Sequence, residues 1–301
     1  MSPARSPRWP RPGAPLAVAA PSGRVDPAEL EAGLAVLAGL APESEIIAGP
    51  EVLAAEGYLA GPDQARAERL GVLLADQSLG MVIAARGGFG CSRLLPRLEW
   101  AALAAARPCL LGFSDLTCLL GALAMHGLVA LHGPVVTQLP RLDQPSRADL
   151  AALLAGRPPW PGRLAGQGLA PGRAAGPLLG GNLTMLCHLL GTPWLPDLAG
   201  AVLFIEDTGE APYRLDRLLT QLELAGVLER VAGVAVGHLS GETEDPAGAR
   251  QAVARRLEPL GKPVVLGLPF GHGAANRLLP VGARAELDGA AGTLDLGLDL
   301  A

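Results

Sequence analysis

The chain has 301 residues with 24 basic and 29 acidic side chains, a net charge of −5, and half of its residues are hydrophobic although only 3% are aromatic. Ala, Leu and Gly carry that apolar mass, which suits layered α/β cores and excludes a disordered chain. No Lys/Arg-rich run with interleaved aromatics occurs beyond residue 24, which argues against nucleic acid as a partner, and no stretch reaches about 18 uninterrupted apolar residues, which argues against a membrane span.

Residues 1–13, rich in Pro and Arg without periodicity, read as a mobile tail. Arg5, Arg8 and Arg11 ahead of Ala14–Ala20 imitate a secretory signal. The apolar run is short, flanked by Pro, and leads straight into Pro21-Ser22-Gly23, so a cytoplasmic protein is expected instead. The four cysteines, Cys91, Cys109, Cys118 and Cys187, form no C-x-x-C pair and sit in apolar or helical contexts, as free thiols of a reducing compartment do.

Leu16–Ala20 is the first expected strand. Asp26 with Pro27 then opens a helix through Leu30, Leu34 and Leu37. Glu45–Ile47 is a short strand, Asp63 starts a helix through Leu70 and Leu74, and Gly80–Ala85 is a strand ending in Arg86-Gly87-Gly88-Phe89-Gly90. Cys109–Leu111 leads to Gly112-Phe113-Ser114-Asp115, where a serine falls at a strand-to-helix junction. Leu128–Pro134 is a further strand and turn. Strand and helix alternate at roughly 30-residue spacing, the pattern of a parallel sheet, whose ligands sit off the carboxyl ends of the strands.

From about Thr137 to Gly176 the composition shifts to Pro, Arg, Gly and Ala, which marks a domain boundary. Beyond it Asn182 is a helix cap, Ala201–Ile205 a buried strand ending at Glu206-Asp207, and Tyr213–Leu219 a polar helix. Gly233–His238 and Pro263–Leu266 are strands, the latter leading to Gly271-His272, and 285–296 a closing hairpin. The chain divides into a tail (1–13), an N-terminal domain (14–140), a linker (141–176) and a C-terminal domain (177–301).

Three strand ends carry complementary chemistry. A serine hydroxyl needs a base to take its proton, an imidazole serves near neutral pH, and a carboxylate behind it holds the tautomer. Ser114, Glu206 and His272 supply one candidate for each role, with Asp207 a rival for the carboxylate. Among the other histidines, His126 and His188 lie in helical runs, while His132 and His238 end strands and are placed to shape a pocket. Gly87 and Gly88 let backbone approach a substrate and present an N–H to an oxyanion. The run lacks the Lys-Ser/Thr of a P-loop and the G-x-G-x-x-G of a dinucleotide site, and no metal-ligand spacing occurs, so neither cofactor nor metal is expected.

These segments, from Ala20-Pro21-Ser22-Gly23 through Leu59-Ala60-Gly61 with Asp63 and Arg66, Arg86–Gly90, Gly112–Thr117, His132-Gly133-Pro134, Gly180–Leu183, Ile205–Asp207 with Tyr213–Arg217, to Gly271-His272, resemble the LD-carboxypeptidase family of serine peptidases, which includes the microcin C self-immunity hydrolases. The resemblance implies a nucleophile at Ser114, an orienting carboxylate at Glu206, a base at His272, and an oxyanion hole from the N–H groups of Gly88 and Asp115. Gly87, Phe89, His132 and Asn182 are candidates for the substrate pocket, Phe89 standing where the family often has Tyr. The resemblance also implies an N-terminal Rossmann-like parallel-sheet domain, a smaller β-rich C-terminal domain, a cleft between them, and a homodimer. The expected activity is release of a terminal D-amino acid from an L-residue of a cytoplasmic muropeptide. Hydrolysis of aminoacyl-nucleotide antibiotics is the alternative within the family, and a non-catalytic small-molecule binding protein the alternative outside it.

Overall fold

The computed structural model describes residues 4–157, 162–240 and 246–297. Five parallel strands, β1 (Leu16–Ala19), β2 (Ile46–Ile47), β3 (Met81–Ala84), β4 (Leu110–Gly112) and β5 (Ala130–His132), lie in the order β2-β1-β3-β4-β5. β1 and β3 are apolar and buried at every position, as strands covered on both faces must be. Successive side chains point to opposite faces, so Leu16, Val18, Met81 and Ile83 enter one core while Ala17, Ala19, Val82 and Ala84 enter another.

Helix α1 (Pro27–Leu40) covers the first face, with Leu30 and Leu37 in that core. Asp26 fixes its start by accepting from the N–H groups of Ala28 and Glu29, and Pro27 sacrifices no hydrogen bond there. Helices α2 (Asp63–Ala75), α3 (Trp100–Ala106) and α4 (Thr117–Met125) contribute Leu70, Leu74, Leu103, Leu119 and Leu123 to the opposite face.

The segment 141–176, expected as a linker, holds regular structure. Helix α5 (Gln144–Leu154), capped by Asp143, joins α1 on the first face. β6 (Arg163–Ala165), β7 (Gln167–Ala170) and β8 (Arg173–Asn182) then enter a second sheet. With β9 (Val202–Thr208), β10 (Gly233–Ser240) and β11 (Val264–Leu266) it runs on, and β12 (Leu279–Val281) leaves to join the first sheet. β13 (Arg284–Asp288) and β14 (Thr293–Leu296) complete the order β6-β14-β13-β8-β9-β10-β11-β7. The two edge strands β6 and β7 are separated only by Gly166, so this sheet curls until its ends meet. Glycine permits that closeness: a Cβ at Gly168 would lie 2.1 Å from the Gly289 carbonyl oxygen, and the composition that reads as a linker is that of tightly apposed backbones.

Helices α6 (Leu183–Leu189), α7 (Pro212–Leu224), α8 (Val227–Arg230) and α9 (Pro246–Leu257) belong to this half. α4 packs against α6 and β8, so one apolar core runs from Leu116 and Leu119 to Phe204 and Phe270, and the two sheets are fastened together beside the strand ends. The architecture is a mixed α/β fold with a parallel sheet and a second, β-rich sheet. Residues 5–9, read from the sequence as a tail, run along the first half: Arg5 bridges Leu128, and Arg107 donates to the Ser6 carbonyl at 2.7 Å. Among the described residues no helix is long and apolar enough to cross a membrane.

Candidate active site

Gly112 ends β4 and leaves room for Leu116, since a Cβ there would meet Leu116 Cδ2 at 2.4 Å and Ala84 Cβ at 3.2 Å. The chain turns through Phe113 (φ −154°, ψ −169°) into Ser114, which carries φ +63°. A left-handed backbone is costly for a residue with a Cβ and marks a position held by its surroundings. The turn spends that strain on lifting the serine side chain out of the sheet. The hydroxyl does not cap the following helix; it points to His272, with Oγ 3.2 Å from Nε2.

His272 lies in the connection from β11 to β12, which returns from the second sheet to the first. Its Nδ1 is 2.6 Å from Glu206 Oε2, on fully buried β9 residue Glu206. An ionised carboxylate only accepts, so Nδ1 carries the proton, and the neutral ring leaves Nε2 as the acceptor facing the serine hydroxyl. Gly271 (φ +112°) allows the approach, since a Cβ at that residue would lie 2.8 Å from Glu206 Oε2. The Phe113 ring packs against the imidazole with centroids 4.6 Å apart. Asp207, the rival carboxylate, is engaged elsewhere: it accepts from the Asn182 amide and from the backbone N–H and hydroxyl of Thr184, each at 2.9 Å.

The glycine turn after β3 faces the serine. Gly87 contacts the Ser114 side chain directly, and Gly88 (φ +119°) lies over Gly23. Neither the Gly88 nor the Asp115 N–H has an acceptor among the described residues. Both belong to strand-end turns beside the serine.

Two residues whose roles the sequence did not disclose brace these turns. Asp115 Oδ2 accepts from Ser22 Oγ at 2.6 Å and from the Cys91 N–H at 2.8 Å, tying together the ends of β1, β3 and β4. Buried Arg66 donates to the carbonyls of Gly61 at 3.1 Å and Gly90 at 3.2 Å and to that of Pro21, and pairs with Asp63. Burial works to raise the Asp63 carboxyl, but hydrogen bonds from Arg93 and Arg66 outweigh it and hold the group below its ordinary range. A buried cation with its hydrogen bonds filled is a rigid fastening rather than a free binding group.

The remaining candidates divide. Phe89 is 41% exposed, with its ring 6.2 Å from that of Tyr58 on the open side of the glycine turn. Asn182 is buried and committed: its side-chain oxygen caps α6, and its amide donates to Asp207. His132 is also buried, behind Phe113, with ring centroids 5.2 Å from Phe204 and 6.0 Å from Phe270. His238 is exposed beside Gly273, where desolvation first, and His272 after it, lower its pKa against the opposing pull of the Glu206 carboxylate. All four cysteines are buried free thiols, and burial pushes Cys109 and Cys187 up to about 12, which leaves them unreactive. Among the described residues no group of three or more His, Cys, Asp or Glu side chains is placed to hold a metal ion.

Comparison with known proteins matches both halves. The family model for the LD-carboxypeptidase N-terminal domain covers residues 16–133, and that for the LD-carboxypeptidase C-terminal domain covers residues 175–287. A relative in Synechocystis is 42% identical over 292 residues, 94% of each chain. The murein tetrapeptide carboxypeptidase of Pseudomonas aeruginosa is 38% identical over 263 residues, covering 80% of this chain and 83% of its own. The crystal structure of muramoyltetrapeptide carboxypeptidase from Oxalobacter formigenes superposes with a TM-score of 0.80 at 32% identity, over 94% of this chain and 98% of that one.

Proposed function

The chain belongs to the LD-carboxypeptidase family and is a serine-type carboxypeptidase; on that premise we propose that it releases a terminal D-amino acid from an L-residue of a muropeptide tetrapeptide, through an acyl-enzyme on Ser114. The observation that carries this reading is the alignment of Glu206, His272 and Ser114 through two hydrogen bonds, made by residues from strand β9 and from two separate connections. The Pseudomonas and Oxalobacter relatives, whose names specify murein or muramoyl tetrapeptides, support the substrate class.

In the first step Ser114 Oγ bonds to the carbonyl carbon of the L-residue as its proton passes to His272 Nε2. The carbonyl oxygen takes the displaced electron pair and faces the N–H groups of Gly88 and Asp115. Collapse breaks the C–N bond, the nitrogen keeps that pair and receives the proton from Nε2, and the D-amino acid leaves with a neutral amine. Water then adds to the acyl carbon, giving its proton to Nε2, and a second collapse returns that proton to Ser114 Oγ. Glu206 holds the Nδ1–H throughout and stabilises the imidazolium formed in each half-reaction.

The test is release of D-Ala from L-Lys- or meso-diaminopimelyl-D-Ala tetrapeptides by the purified protein and by Ser114→Ala. The serine variant is expected to lose several orders of magnitude in turnover. Unchanged turnover removes Ser114 from the mechanism, while hydrolysis of a peptidyl-sulfamoyl adenylate in place of the tetrapeptide reassigns the substrate. The reading includes a cytoplasmic homodimer, for which cell fractionation and sedimentation are the measurements.

A further inference from the structure

The His272 turn rests on a platform built from residues 138–149. Gln138 Nε2 donates to the carbonyls of Gly271 at 3.2 Å and Gly273 at 3.1 Å, one on each side of the histidine. Its Oε1 accepts from Asn276 Nδ2 at 2.8 Å, and Asn276 Oδ1 accepts from the Gly271 N–H at 3.0 Å, which closes a ring. The Asn276 N–H donates in turn to Ser146 Oγ at 2.9 Å, and the Asp143 N–H donates to the Ala274 carbonyl at 2.9 Å. Arg277 pairs with both oxygens of Asp149. Asn276 and Ser146 are completely buried and Gln138 nearly so.

The ring has one self-consistent set of orientations. Two carbonyls require the Gln138 amide nitrogen, which turns its oxygen to Asn276; that oxygen requires the Asn276 nitrogen, which leaves the Asn276 oxygen for the Gly271 N–H. A buried ring in which each side-chain amide oxygen and nitrogen has a partner is stiff, because displacing one strands a polar group without water. What it stiffens is the three-residue turn whose central imidazole spans Glu206 and Ser114. Gln138 and Ser146 belong to the segment after β5, so the base is held in register from the first half of the chain although Glu206 lies in the second.

We propose that Gln138 and Asn276 are positioning residues for the base, acting through the backbone of Gly271 and Gly273 to set the His272 imidazole against Ser114. This rests on the assignment of Ser114, His272 and Glu206 above. A misplacement of about 1 Å at a reacting group costs on the order of a hundredfold in rate.

The experiment compares wild type with Gln138→Met, which keeps the length and bulk of the side chain and removes its donors and acceptor. A fluorophosphonate titrates competent Ser114, and kcat is expressed per titrated site. The expected result is a full titre with kcat per site lowered about a hundredfold and KM within about twofold of wild type. A kcat per site equal to wild type overturns the proposal, whatever happens to the titre or the melting temperature, because the ring then supports folding alone. If Gln138→Met does not fold, Ser146→Ala removes only the outer hydroxyl. It is expected to lower kcat per site about tenfold, and an unchanged value overturns the proposal equally. Failure of the wild-type protein to react with the fluorophosphonate or to turn over peptide instead overturns the underlying triad, an outcome distinct from loss of the positioning role.

Discussion

The side chain of Ser114 lies directly against the Cα of Gly87: a methyl group at residue 87 would sit 2.9 Å from Ser114 Cβ and 3.0 Å from its Oγ. The φ of Gly87 is not in the left-handed region, so the effect of an alanine there comes from its approach to Ser114 and not from its own backbone. Gly87→Ala is expected to lower the melting temperature, because Ser114 Cβ cannot turn aside without its backbone, and to lose about a hundredfold in kcat as Oγ is driven from His272 Nε2. Turnover at the wild-type rate would mean that the glycine turn and the serine are further apart in solution.

Ser114 itself is expected to destabilise the fold it serves. At φ +63° its Cβ crowds the backbone, at a cost of about 1 kcal/mol relative to a residue without one. Ser114→Gly and Ser114→Ala should be equally inactive, with the glycine variant more resistant to urea by at most about 0.5 kcal/mol, because the greater entropy of its unfolded chain offsets most of the strain relieved. A glycine variant less stable than the alanine variant by about 0.4–1 kcal/mol would show that the turn carries no strain.

The parts of the site that were legible in the sequence are those that impose a local pattern. Apolar runs announce the strands, and Ser114 follows the glycine that ends β4, while Glu206 stands within β9 just after its apolar run and His272 in the glycine turn after β11. Gln138, Asn276 and Ser146 imposed none: apart from the Asn276 bond to Gly271, these neutral amides and this hydroxyl act through partners more than 100 residues away, and no periodicity records that. The same holds for Asp115, whose carboxylate joins Ser22 and Cys91, a role that the expectation of an oxyanion-facing N–H did not contain. The stretch 141–176 misleads for a different reason, since Gly and Pro serve close backbone packing at a curled sheet as well as they serve a linker. His132 and Asn182 stand beside the strand ends in sequence but turn inward, because the approach of the two sheets buries that flank.

His132 provides the last test, through pH. Neither ring nitrogen has a partner among the described residues, and the ring lies edge-on to Phe113, Phe204 and Phe270. Burial first, and the nearby His272 second, depress its pKa from 6.5 to about 3. Between those values the unfolded chain binds a proton that the folded chain refuses, so acid favours unfolding. The contribution is complete above pH 6.5 and is lost progressively as the pH falls toward about 3. His238, whose pKa is also lowered, acts in the same direction but is common to wild type and variant and cancels in their difference. His132→Leu removes both the titration and the two unpartnered nitrogens. It is expected to stabilise the protein by about 1 kcal/mol at pH 7 and by a growing margin below pH 6. The melting temperature of wild type should therefore fall more steeply than that of His132→Leu between pH 7 and pH 4.5; parallel curves would mean that His132 takes up its proton in the folded chain, with water or a shifted neighbour as its partner.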